Sequence, residues 1–91
     1  MLTQALASAI AALPPPVSHP TGDELFNIGL RYSTGVGGAP IDYVTAHTAF
    51  NLAAVLGSLE ARVYRKELSA EMDPEDVAMA QRAAREWLAE A

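Results

Sequence analysis

His19 and His47 are the only two histidines of this sequence, and histidine is the residue most often used for general acid–base catalysis, so a catalytic reading starts from them. They occur in different surroundings. His19 lies in a proline-rich stretch, PPPVSHP at residues 14–20. His47 has Asn51 one helical turn on and Asp42 before it, but cysteine is absent and no serine is spaced in the sequence to act as its nucleophile. A metal site needs several converging ligands, and no His-x-x-x-His or equivalent is present. Gly35-Val36-Gly37-Gly38 has the composition of a phosphate loop. No lysine follows it and no strand precedes it, which makes turn chemistry the better reading. The chain is accordingly read as a non-enzyme with no cofactor and no metal.

Binding chemistry is the alternative to catalysis. Arg62, Arg65 and Lys66 form a local basic cluster, but Glu60 and Glu67 interrupt it and it reads as a solvated helix face. The net charge of −5 argues against nucleic acid or an anionic membrane as partner. Tyr43, His47 and Asn51 are four residues apart and share one face of a helix. Exposed there, they would form a recognition strip for a protein partner; the plainer reading is an ordinary solvated face.

These residues must be positioned by helices. Hydrophobic residues make up 51% of the 91, yet 18 residues are alanine, which favours helix and adds little apolar area. The large anchors are Phe26, Tyr32, Phe50, Tyr64 and Trp87. One domain of this size buries roughly 60–65% of its unfolded surface, with a stability on the order of 5–10 kcal/mol. Leu2, Leu6, Ile10 and Leu13 mark an N-terminal helix over 1–13, and residues 14–20 read as a semi-rigid spacer. A helical domain over 21–91 follows. Thr21 and Glu24 match a capping box, and the helix it opens runs to about Ser33 with Leu25, Ile28, Gly29 and Tyr32 on one face. After the glycine turn, Asp42 caps a helix of about 43–56 with Ala46, Ala49, Phe50, Ala53 and Ala54 inward. Gly57 stops it, and Ser58 opens a helix of about 59–71 with the stripe Ala61, Tyr64, Leu68 and Met72. Asp73, Pro74, Glu75 and Asp76 then start a last helix, about 74–89, that turns Val77, Ala80, Ala84, Trp87 and Leu88 inward. No segment alternates as a strand does. The fold class is all-α with about five helices.

The apolar start lacks a basic n-region, and three prolines follow it in place of a small-residue cleavage site, so export is disfavoured and a cytoplasmic location expected. No run approaches the roughly 18 apolar residues of a membrane span.

The segment 24–61 carries Ile28-Gly29, Tyr32, Gly35, Gly37, Asp42, Ala46, Phe50, Ala53-Ala54, Gly57 and Ala61. This spacing resembles the Sel1-like repeat, a relative of the tetratricopeptide repeat, with the pattern L-G-x-x-Y-x-x-G-x-G-V-x-x-D-x-x-x-A-x-x-W-[YF]-x-x-A-A-x-x-G-x-x-x-A. There are three departures. Gly38 stands where the pattern has valine, one extra residue precedes Asp42, and Ala49 takes the place of tryptophan. Trp87 is a candidate to fill the space that Ala49 leaves. The fourth helix does not repeat the signature, so one repeat is present with a closing helical pair. The resemblance implies an antiparallel helix hairpin and a bacterial-type adaptor that presents a helix-lined surface to another protein. A self-association module forming a homodimer is the second reading, and a small regulatory subunit of an enzyme complex is a remote third.

Overall fold

The computed structural model describes residues 3–91, which form five α-helices and no strand. They are α1 (Gln4–Ala11), α2 (Gly22–Thr34), α3 (Tyr43–Val55), α4 (Leu59–Glu71) and α5 (Pro74–Ala89). Met1 and Leu2 lie outside the described residues, so the first position of the Leu2–Leu13 stripe does too. None of the helices among the described residues is long and apolar enough to cross a membrane.

Local chemistry sets the helix ends. Thr21 Oγ1 accepts from the Glu24 amide at 3.1 Å and the Glu24 carboxylate reaches back to the Thr21 amide, closing the capping box. Asp42 and Ser58 cap α3 and α4 in the same way, through the amides of Thr45 and Ala61. Asp73 departs from expectation. Its side chain makes no capping bond; its carbonyl accepts from the Asp76 and Val77 amides, and Pro74 begins the helix. Gly35 ends α2 in the left-handed conformation at φ 78°, and its amide bonds to the Arg31 carbonyl. The extra residue of the turn is absorbed in a loop that the Asp42 amide closes on the Tyr32 carbonyl at 2.9 Å.

α2 and α3 form an antiparallel hairpin. Gly22 lies against the Ala53 and Leu56 carbonyls, Gly29 against Phe50, and Tyr32 beside Asp42. Gly29 has a specific reason to lack a side chain. A Cβ there would stand 2.4 Å from Phe50 Cε1 and 2.5 Å from Cδ1. The ring of Phe50 therefore lies flush on the α2 backbone.

α3 is the centre of the molecule. Every residue from Val44 to Phe50 is buried, as are Leu52 and Ala53, because α1, α2, α4 and α5 all pack on this helix. This differs from a two-helix hairpin with one wet face. The main core runs from Leu25 and Ile28 through Ala46, Ala49, Phe50 and Leu52 to Leu68, Ala84 and Trp87. Trp87 and Ala49 belong to this same cluster. A second cluster joins Leu6 and Ala9 of α1 to Val44, Ala80 and Ala83. Docking of α1 leaves Leu6 and Ala9 without solvent exposure. Residues 14–20 are not a free tether either. Leu13 and Pro20 are buried, and Trp87 Nε1 donates to the Pro14 carbonyl at 2.8 Å.

Candidate functional site

The face marked by Tyr43, His47 and Asn51 turns toward α4 and not toward water. α4 runs antiparallel to α3 and meets this face residue by residue. Arg65 donates to Asn51 Oδ1 at 2.9 Å, and His47 Nε2 lies 2.8 Å from Ser69 Oγ. His47 is only 1% exposed, so it cannot stand on an open recognition strip. Asn51 is half-buried and committed to Arg65. Of the three, Tyr43 alone remains open, at 37%.

The His47–Ser69 contact resembles half of a nucleophile–base pair, and Ser69 was not apparent in the sequence as a partner. Its chemistry is different. Ser69 Oγ donates its single proton to the Arg65 carbonyl at 2.9 Å, as a serine four residues on from a helical carbonyl does. The His47 Nε2–H is then the donor to Ser69, an assignment made from the network. A base would need a free lone pair toward the hydroxyl and a group orienting its other nitrogen. Here Nδ1 is buried without a partner, and Asp42 is occupied by the Thr45 amide and hydroxyl. Burial, together with the positive charge of Arg65, pushes His47 down to a pKa of about 4. At neutral pH it is an uncharged link between α3 and α4.

Tyr43 opens into a groove of about 180 Å3 that Ser33 of α2, Phe50 of α3 and Tyr64, Glu67, Leu68 and Glu71 of α4 also line. The groove exists because α2 and α4 both pack on α3 without packing closely on each other. Three rings bridge the gap. Phe26 and Tyr64 meet edge to face at 5.2 Å, Phe26 and Phe50 are 5.7 Å apart, and Phe50 and Tyr64 are 5.6 Å apart. Phe50 is the buried floor. Tyr64, expected to point inward, is 41% exposed and forms part of the wall. Its place in the Ala61–Leu68 stripe is the signal the sequence carried; the partner ring on α2 was not legible.

The other sequence-level candidates are structural. Gly35, Gly37 and Gly38 have φ of 78°, 74° and 83°, which is turn chemistry. The next helix N-terminus, which an anion would need, is already filled by the Asp42 carboxylate. Arg62, Arg65 and Lys66 line a second, open groove with Val63, Glu67 and Ala70 on α4. His19 is exposed, at φ 51°. Among the described residues no group of acidic or histidine side chains converges as metal ligands would. No family model, no curated protein and no solved structure matches the chain.

Proposed function

We propose that this chain is a non-enzymatic protein–protein interaction module of the Sel1-like repeat type, in which the groove between α2 and α4 seats a segment of a partner protein. One observation carries the reading. Two large aromatic side chains, Tyr43 and Tyr64, stay open to solvent in a concave site whose floor, Phe50, is buried. Exposed aromatic residues around a preformed hollow are what protein interfaces use as anchors, because a ring buries much area with little loss of side-chain freedom. The Sel1-like motif supports the same reading through Gly29 and Phe50, the pair that sets the groove floor against α2. A cytoplasmic location goes with this role.

The test starts from a partner isolated by native pull-down and identified by mass spectrometry, then purified. Tyr43→Ala and Tyr64→Ala each weaken its binding at least about tenfold, the scale of an anchor aromatic. Arg82→Ala on α5, away from the groove, leaves it unchanged. A partner indifferent to both tyrosines rules the groove out.

A homodimer has its own observation in favour. Val55, Leu56, Leu59 and Val63 flank the α3–α4 turn and are all exposed, Leu59 at 73%. Light scattering across concentrations decides between the readings; a strictly monomeric protein excludes the dimer.

A further inference from the structure

The groove carries charge as well as rings. Glu67 and Glu71 stand four residues apart on α4, on the wall they share with Tyr64, and both are exposed. The remaining lining residues, Ser33, Tyr43, Phe50 and Leu68, bring no cation. Among the described residues the ion pair is Arg82 with Glu86 on α5, so neither Glu67 nor Glu71 is held in an ion pair; Glu67 also borders the second groove, with Arg62 and Lys66, and Glu71 does not. Arg65, the arginine closest in register, is held by Asn51 and lines the other groove. The net charge of −5 adds an attractive field for a basic ligand.

Aromatic faces carry negative potential, and a cation beside them gains from the rings and from any carboxylate at the rim. A hollow of about 180 Å3 accepts the end of one long side chain, not a whole helix. We infer that the groove takes a lysine or arginine side chain presented by the partner segment, its cationic head held beside Tyr43 and Tyr64 and within reach of Glu67 and Glu71. The alkyl stem of such a residue lies on the apolar surface of Leu68 and Phe50 while its head stays near water. This rests on the reading of the groove as a docking site.

The test uses acetylated and amidated helical peptides that are identical except at one central position, which holds lysine, arginine, norleucine or glutamate. They are titrated into the full chain, and amide chemical shifts of the groove residues are followed by NMR. The lysine and arginine peptides bind about tenfold more tightly than the norleucine peptide, and the glutamate peptide binds most weakly. In the Glu67→Gln/Glu71→Gln double variant the advantage of lysine over norleucine falls to within about twofold, while norleucine affinity holds. Equal binding of lysine and norleucine peptides, or a lysine preference that survives the double variant, overturns the inference. So does a panel in which no peptide shifts the groove resonances. Norleucine binding that matches lysine and is lost in Tyr64→Ala leaves the docking site standing and removes only the cation. A partner protein insensitive to Tyr43→Ala and Tyr64→Ala removes the docking site itself.

Discussion

Replacing Gly29 by alanine sets two principles against each other with opposite signs. In a helix interior, glycine to alanine stabilises by about 1 kcal/mol through backbone entropy. At Gly29 the added Cβ would stand 2.4 Å from Phe50 Cε1, 2.5 Å from Cδ1 and 2.9 Å from Cζ. That is roughly 0.6 Å or more inside the optimal separation of two carbon atoms, ~3.5–4.0 Å. The ring is hemmed in on two sides and opens only toward the groove it floors. Phe50 is 1% exposed, and the rings of Phe26 and Tyr64 flank it at 5.7 and 5.6 Å. Overpacking of this kind costs up to about 3 kcal/mol. The net expectation for Gly29→Ala is a loss of about 2 kcal/mol, which in a domain of this size lowers Tm by about 10 °C. Urea denaturation and thermal unfolding followed by circular dichroism measure both quantities. The same change in a Phe50→Leu background, where the ring is gone, is neutral or stabilising by up to about 1 kcal/mol, so the double-mutant cycle shows a coupling of about 2–3 kcal/mol. A Gly29→Ala protein more stable than the parent, or a cycle that is additive, refutes the reasoning.

Trp87→Ala removes a buried ring and costs at least about 3 kcal/mol, whereas Trp87→Phe costs about 1 kcal/mol for the lost bond to the Pro14 carbonyl; urea denaturation that finds under about 1 kcal/mol for alanine contradicts the assignment of Trp87 to the core. Stability falls with acid through His47. The unfolded chain binds a proton at His47 below its ordinary pKa of 6.5, while the folded chain resists it until about 4, so stability is complete above 6.5 and is lost as pH falls to 4. The shift corresponds to about 3 kcal/mol, and it is read as the difference between the stability–pH curves of the parent and of His47→Gln; parallel curves would show that His47 is not buried uncharged.

Much of the fold was written in local chemistry. Thr21, Asp42 and Ser58 announce helix starts because the hydroxyl or carboxylate acts on an amide three residues away, and that geometry needs no tertiary knowledge. The α4 and α5 boundaries were legible for a similar reason: Ser58 and Pro74 leave little choice about where each begins. Asp73 marks the edge of this logic, since its residue type suits a cap that its side chain does not make. The site was less legible. A spacing of four places Tyr43, His47 and Asn51 on one face, but periodicity does not say which neighbour covers that face. The covering helix, α4, uses Arg65 and Ser69 to satisfy Asn51 and His47, and those pairings span 14 and 22 residues. One signal was present. Between Tyr43 and Val55 there is no Asp, Glu, Lys or Arg, and a helix without charge on any side is a buried one. The groove depends on α2 and α4 both packing on α3 and not closely on each other, which no pattern within either helix reveals.

Site-resolved photo-crosslinking tests the central claim most directly. A photoreactive phenylalanine analogue replaces Tyr64 in the groove wall in one protein and Arg82 on α5 in another, and both are irradiated with the purified partner. The account predicts a crosslink to one segment of the partner from position 64 and none from position 82. Equal crosslinking from both positions, or a crosslink from position 64 only to a second copy of the same chain, contradicts it.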